Sequence, residues 1–423
     1  MSAIPLSLLP DNAAVDADGM LTIAGVRADD LAAEFGTPLF VYDEEHLRER
    51  CREAVEAFGE GVAYASKAFL CRAMARLAHE EGMHIDVATR GEMHVALAAG
   101  VPAARLVLHG NNKSSQELTS ALDAGIGRIV IDSFDELDRL EAIHAETGRV
   151  TTALLRVTPG IEAHTHEYIS TGQNDSKFGF TVSTGMASAA VERATQSDAV
   201  DLIGIHAHIG SQVFVLDSFR RAAAVLAEFS APLALPELSI GGGLGVAYLE
   251  SEESLPISGW GKVVIEACRE AGVTARITAE PGRAIAAAAA ITLYTVGTVK
   301  ELEGIRTYVA VDGGMSDNPR PVLYGSGYET FLPRAVAAER TRAVTVVGKH
   351  CESGDILVRE GRVPRDLGVG DLLATPVTGA YGHSMGSNYN KVLRPAVVFV
   401  RDGAVRLVVE RETLDDLLRH DVN

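Results

Sequence analysis

Lys67 directly follows an apolar run, in Tyr64-Ala65-Ser66-Lys67-Ala68. A lysine in that place is either a snorkelling surface residue or a Schiff-base amine, nucleophilic once burial or a neighbouring cation lowers its pKa. Asp86 closes the next run, ahead of Thr89-Arg90-Gly91-Glu92. Thr89 and Glu92 have the spacing of a capping box, and the Asp86 carboxylate could order a neighbouring site group. His109-Gly110-Asn111-Asn112-Lys113 is a polar turn into a helix and a weak signal alone. In His206-Ala207-His208-Ile209-Gly210-Ser211, strand alternation puts both histidines on one face. His208 is then either a satisfied core histidine or a group stacking on a flat cofactor ring, with Ser211 donating to a phosphate.

Gly241-Gly242-Gly243-Leu244-Gly245 follows the seventh run. It is either a flexible turn or a loop whose backbone N–H groups converge on an anion. It is neither a dinucleotide fingerprint nor a P-loop. Glu280-Pro281-Gly282-Arg283 closes the eighth run. Beyond a surface ion pair, Glu280 could face a protonated pyridine nitrogen and Arg283 could bind a carboxylate or a phosphate. Three clusters lie further on. Asp312 to Pro321, continuing to Leu323-Tyr324, holds one evident carboxylate clamp, Arg320. Cys351-Glu352-Ser353-Gly354-Asp355 sets a thiol beside two carboxylates, although a lone cysteine is more often buried filler. Gly379 to His383 and Ser387 to Asn390 bring phenols and amides, Tyr381 among them, near a strand end.

The elements that must position these residues follow one rhythm from Thr37 to Arg283. Apolar runs at Gly61–Ala65, His84–Ala88, Arg105–Leu108, Arg128–Ile131, Thr152–Val157, Leu202–Ala207, Glu237–Ile240 and Arg276–Ala279 alternate with amphipathic stretches. Eight strand–helix units predict a (β/α)8 barrel, with a doubly wound open sheet as the alternative. A barrel builds its site at the C-terminal ends of its strands, which is where the polar markers fall. After residue 290 strand-like runs take over: Ile291–Val299, Thr307–Val311, Ala343–Val347, Asp355–Val358, Leu372–Val377, Ala396–Val400 and Val405–Val409. Arg359-Glu360-Gly361 and Arg401-Asp402-Gly403 read as hairpin turns. The expected division is a barrel over residues 37–290 and a mainly antiparallel β domain over 291–423. A strand–turn–strand signal around Leu21–Val26 is expected to bring residues 1–36 into that second domain.

Composition narrows the function. A formal charge of −19 on 423 residues leaves no basic surplus for nucleic acid. Cys51, Cys71, Cys268 and Cys351 show neither zinc-ligand spacing nor a disulfide framework. Residues 1–18 lack a secretory pattern, and the longest apolar stretch, Ala284 to Ile291, is far short of the ~20 residues a membrane span needs. A soluble, cytoplasmic protein without membrane or nucleic-acid partners is expected.

Taken in order, these segments resemble the diaminopimelate decarboxylase family, whose pyridoxal-phosphate-binding barrel is similar to that of alanine racemase. The similarity runs from Gly36-Thr37-Pro38-Leu39 to Tyr389-Asn390. His109-Gly110-Asn111-Asn112-Lys113, Ser176-Lys177-Phe178-Gly179 and Asp317-Asn318-Pro319-Arg320-Pro321 are its most distinctive segments. The resemblance implies pyridoxal 5'-phosphate as cofactor, with Lys67 as its Schiff-base lysine and His208 stacking on the ring. It implies that Ser211, Gly243, Glu280, Pro281, Gly282 and Arg283 form the cradle, with Glu280 on the pyridine nitrogen and Tyr381 near cofactor and substrate. Arg283, Arg320, Tyr324 and Glu352 match substrate-binding positions. Cys351 matches a proton donor supplied across a homodimer interface. Ala207, between the histidines, touches no assigned role.

The implied reaction converts meso-2,6-diaminopimelate, attacked at its D centre, to L-lysine and CO2, the last step of lysine biosynthesis. Arg320 and Arg283 suit a substrate whose far end carries a second carboxylate. Competing readings are a decarboxylase for ornithine, arginine or carboxynorspermidine, a non-catalytic pyridoxal-phosphate carrier, and a metal-free aldolase using Lys67. Carriers are typically a barrel alone, and an aldolase would bind no chromophore.

Overall fold

The eight apolar runs between Gly61 and Ala279 all become strands. They are Ala63–Ala65, His84–Val87, Leu106–Leu108, Arg128–Ile131, Thr151–Thr158, Val200–His206, Glu237–Ser239 and Arg276–Thr278. All neighbours pair in parallel, and their spatial order is their sequence order. Ala63 N donates to Ala279 O at 2.9 Å and Ala65 N to Pro281 O at 3.2 Å, so the last strand returns to the first. A doubly wound sheet reverses its strand order and keeps two open edges. This sheet does neither, and the fold is a nearly closed eight-stranded barrel. The computed structural model describes residues 3–160 and 175–422. It divides the chain into a barrel unit, Arg50–Gly245 with Ser254–Ala284, and a β unit, Met1–Glu49, Val246–Glu253 and Ile285–Asn423.

Local sequence explains how each barrel strand hands over to its helix. Ser114 and Glu117 form a full capping box at the helix Ser115–Ala124. Thr89 accepts from Glu92 N, but the Glu92 carboxylate bonds Ala88 N at 2.6 Å, so only half of the box read from the sequence forms. Ala63, Val107, Val130 and Leu154 pack into one buried cluster in the barrel, with Ile203 against it.

The N-terminal end of the barrel holds charges the sequence did not signal. His84, Arg128, Glu237 and Arg276 are each the first residue of a strand. Arg128 pairs with Glu237 and bonds His84 Nδ1 at 3.0 Å. Glu237 also accepts from Arg276 at 2.5 Å and from Thr278 Oγ1 at 3.1 Å. Charges at this end of a barrel serve stability rather than catalysis.

The β unit is built on an eight-stranded, mainly antiparallel sheet. Ala290–Leu302 pairs antiparallel with Leu39–Asp43, Arg306–Val311 and Leu372–Pro376. Leu39–Asp43 also pairs in parallel with Ala396–Arg401. It therefore belongs to this sheet rather than opening the barrel, as a boundary at Thr37 would have it; all five of its residues are buried. Residues around Leu21–Val26 form a separate three-stranded antiparallel sheet in the same unit. Arg401-Asp402-Gly403 turns as expected, with left-handed φ at Asp402 (52°) and Gly403 (76°) closing the pair Arg401–Ala404. Arg359-Glu360-Gly361 does not turn. The strand Ile356–Val363 continues through it, paired with Arg342–Val347, with a register shift between the pairs Val344–Gly361 and Val346–Val358.

Candidate active site

At the C-terminal face of the barrel each strand contributes a polar group. Lys67 sits in a 3-10 turn just after the first strand and is exposed. Its charge acts on Asp86, Glu92 and His208. Asp86, His109 and Arg156 follow from the second, third and fifth strands, all buried. His206 ends the sixth strand, and Ser239 the seventh. Glu280 follows the eighth and is 8% exposed.

These groups converge on Glu280. His206 Nε2 lies 3.0 Å from its Oε2 and His109 Nε2 lies 3.2 Å from its Oε1. Ser239 Oγ donates to Oε1 at 3.3 Å. Burial works to raise the Glu280 carboxyl, but the charge and hydrogen bonds of His109 and His206 overcome it and hold the group well below the usual carboxylate range. Asp86 is moved the other way, raised by burial and by the charge of Glu280. Two neighbouring buried carboxyls are thus driven in opposite directions, Glu280 toward its ionised form and Asp86 upward from its ordinary value.

His208 is oriented by the glycine-rich loop. Gly242 N donates to its Nδ1 at 3.1 Å, so a neutral ring carries its proton on Nε2. Burial, followed by the charges of Lys67 and Arg156, pushes His208 well below its ordinary pKa and keeps it neutral. The loop admits no side chains. A Cβ on Gly242 would lie 2.4 Å from Glu280 O, and one on Gly243, whose φ is +115°, 2.4 Å from Gly210 O. Arg283 donates to Ser211 Oγ at 2.9 Å, so a guanidinium and a hydroxyl meet beside this loop. Close backbone packing, a cation and a hydroxyl make an anion cradle. An amine, an ionised carboxylate and a neutral imidazole on the same barrel face suit the aldehyde, pyridine nitrogen and ring of pyridoxal phosphate.

The other residues singled out from the sequence lie in the β unit. Arg320 opens a short helix, Arg320–Tyr324, and is buried. It donates to Tyr328 Oη at 2.5 Å and lies 4.1 Å over the Tyr248 ring. Burial would lower its pKa, yet Tyr248, Tyr328 and Tyr381 raise it above the ordinary value, so it stays charged. Tyr324 and Tyr381 are half-buried, and Tyr381 has a left-handed φ of 61°. Cys351 and Glu352 are exposed. Their loop is clasped by Asp355, which accepts from Met315 N at 2.7 Å and His350 N at 2.9 Å. Cys351 N itself donates to Asn390 Oδ1 at 3.0 Å.

The sequence reading gave no role to Ser239 or Arg156 and did not join Asp86, His109 and His206 to Glu280. Their shared signal was a place within two residues of the C-terminal end of a barrel strand.

A lysine and an anion cradle on a (β/α)8 barrel, joined to a β unit, define a class. The pyridoxal binding domain of the pyridoxal-dependent decarboxylases matches residues 44–287. A diaminopimelate decarboxylase of Mycobacterium tuberculosis is 49% identical, the match covering 98% of this chain and 97% of that one. One of Bacillus subtilis is 46% identical over 96% and 95%. A crystal structure of diaminopimelate decarboxylase from M. jannaschii, in complex with L-lysine, superposes with a TM-score of 0.90 at 31% identity, covering 98% of both chains. The chain belongs to the diaminopimelate decarboxylase family of pyridoxal-dependent enzymes.

Proposed function

We propose that this enzyme decarboxylates meso-diaminopimelate to L-lysine and CO2 with pyridoxal phosphate anchored on Lys67. The named activity of its relatives supports the substrate. One observation carries the site: Glu280, held ionised, shares the barrel mouth with Lys67 and the Ser211–Arg283 cradle. Bound pyridoxal phosphate supplies an electron-poor ring that takes up the electron pair left when CO2 departs.

The chain's own residues do the rest. Lys67 supplies the amine for the cofactor's aldehyde, and Glu280 keeps a proton on the pyridine nitrogen. Neutral His208 lines the ring. Ser211, Gly243 and Arg283 hold the phosphate, with Pro281 and Gly282 shaping the turn between them. Arg320, kept charged, answers the distal carboxylate that distinguishes diaminopimelate from ornithine or lysine, with Tyr324, Tyr381, Arg283 and Glu352 completing the substrate contacts. Cys351 delivers the proton to the carbon that has lost CO2.

The exposure of Cys351 and Glu352 supports a homodimer in which each subunit lends these two residues to the neighbouring site. Free thiols at Cys51, Cys71, Cys268 and Cys351 fit a reducing cytoplasm. Among the described residues no helix is long and apolar enough to cross a membrane.

The test is CO2 release from meso-, LL- and DD-diaminopimelate, ornithine and lysine, with and without added pyridoxal phosphate. Turnover confined to the meso isomer and dependent on the cofactor is expected. Faster release from ornithine or lysine would refute the substrate.

A further inference from the structure

Glu280 receives more than a pyridine nitrogen would require. Its two oxygens are each faced by an imidazole from a different strand: His206 Nε2 bonds Oε2 at 3.0 Å, and His109 Nε2, a buried nitrogen with no other acceptor this close among the described residues, lies 3.2 Å from Oε1. The two rings meet edge to face, centroids 5.0 Å apart and planes at 65°, so each packs against the other. His109 has a second carboxyl within reach, Asp86 Oδ1 at 3.7 Å. The loop behind His109 is fixed as well. Lys113, buried, donates to Gly110 O at 2.6 Å and Val130 O at 2.8 Å and pairs with Glu136 at 2.9 Å.

We propose that His109 and His206 are positioning residues for the decarboxylation: each presents its Nε2 to a different oxygen of Glu280, fixing that carboxylate in one orientation. The proposal rests on the reading that Glu280 serves the cofactor's pyridine nitrogen.

The electrostatics agree with the geometry. The groups facing Glu280 are His109, His206, Ser239, Asp86, His208 and Arg156. Burial raises both carboxyls, and a buried pair in one site cannot easily ionise together. Two imidazoles favour the charge on Glu280, while Asp86 is moved upward.

The test uses the holoenzyme and four variants, His109→Gln, His109→Leu, His206→Gln and His206→Leu. Glutamine can still offer an N–H to the same oxygen; leucine removes the donor and roughly keeps the volume. Each is measured for the visible absorption of bound cofactor between pH 6 and 9, for cofactor Kd, and for kcat and KM separately. Leucine at either position is expected to lower kcat about tenfold or more with KM little changed, the pattern of a loss confined to the transition state. It should also bring a pH-dependent change of the cofactor band into that window. Glutamine should restore both.

Leucine variants with the parent's spectrum and kcat would overturn the proposal. So would glutamine variants as impaired as the leucine ones, since ring shape rather than N–H donation would then be what matters. Glu280→Gln is the control for the underlying reading. If it leaves spectrum and kcat unchanged, Glu280 does not serve the nitrogen and both ideas fall. If it alone is impaired, only the histidine roles fall.

Discussion

Single residues in this protein are set by what burial does to charge. Cys351 is exposed, with its backbone N–H tied to Asn390. Because its proposed work is proton delivery, Cys351→Ala should cut kcat about a hundredfold while the absorbance of bound cofactor stays as in the parent. Unchanged turnover would remove the assignment. His84 and His383 respond to burial differently. Burial, with the charges of Arg128 and Arg394 respectively, holds each imidazole down to about 4. In the unfolded chain each takes up a proton near its ordinary value of 6.5. Between pH 6.5 and 4 the unfolded state therefore binds protons the folded state refuses, and each histidine costs stability as the pH falls through that window. Burial pushes Asp317 up to about 7, and it acts in the opposite sense over much of the same range. The informative quantity is thus the difference between variant and parent: the Tm of His383→Asn should fall less steeply from pH 6.5 to 4.5 than the parent's. Equal slopes would show that His383 keeps no depressed pKa.

The elements hold the site at the joints between strand and helix. Lys113 and Glu136 tie the loop after the third barrel strand to the fourth. A buried ion pair adds little net stability, but removing one partner strands the other, so Lys113→Met should destabilise the fold by about 3 kcal/mol, with Lys113→Met/Glu136→Leu recovering most of it. Denaturant midpoints would check both values. Gly243→Ala forces a side chain against Gly210 O at a left-handed φ, and cofactor Kd should rise at least tenfold. Much of this scale was legible in the sequence. Every barrel strand was signalled by an apolar run with a turn after it, and Lys67 and Glu280 stood out because each follows such a run. The links from His109 and His206 to Glu280 were not legible, because barrel curvature rather than local pattern brings those strand ends together. Leu39–Asp43 announces a strand by its apolar residues, but apolar residues do not say which sheet will take them. Arg359-Glu360-Gly361 has turn chemistry, yet cross-strand pairing with Arg342–Val347 prevailed over it.

For the whole molecule, the resemblance implies a symmetric dimer whose sites are each completed by a neighbour. Mixing inactive Lys67→Ala with inactive Cys351→Ala subunits then creates hybrid dimers holding one intact site, and up to about a quarter of parental activity should return after exchange. No recovery would mean that each chain is self-sufficient. The backbone bonds between Ala63 and Ala279, and between Ala65 and Pro281, have a consequence during synthesis. The strand carrying Lys67 leaves the ribosome long before the strand carrying Glu280 exists. Until that final strand arrives, the growing sheet has two unsatisfied margins able to recruit other chains. The cofactor's two ends of attachment, likewise, remain unjoined. A nascent chain halted before Arg276 should therefore be both aggregation-prone and colourless, and vitamin supply can rescue folding only after the last strand is in place.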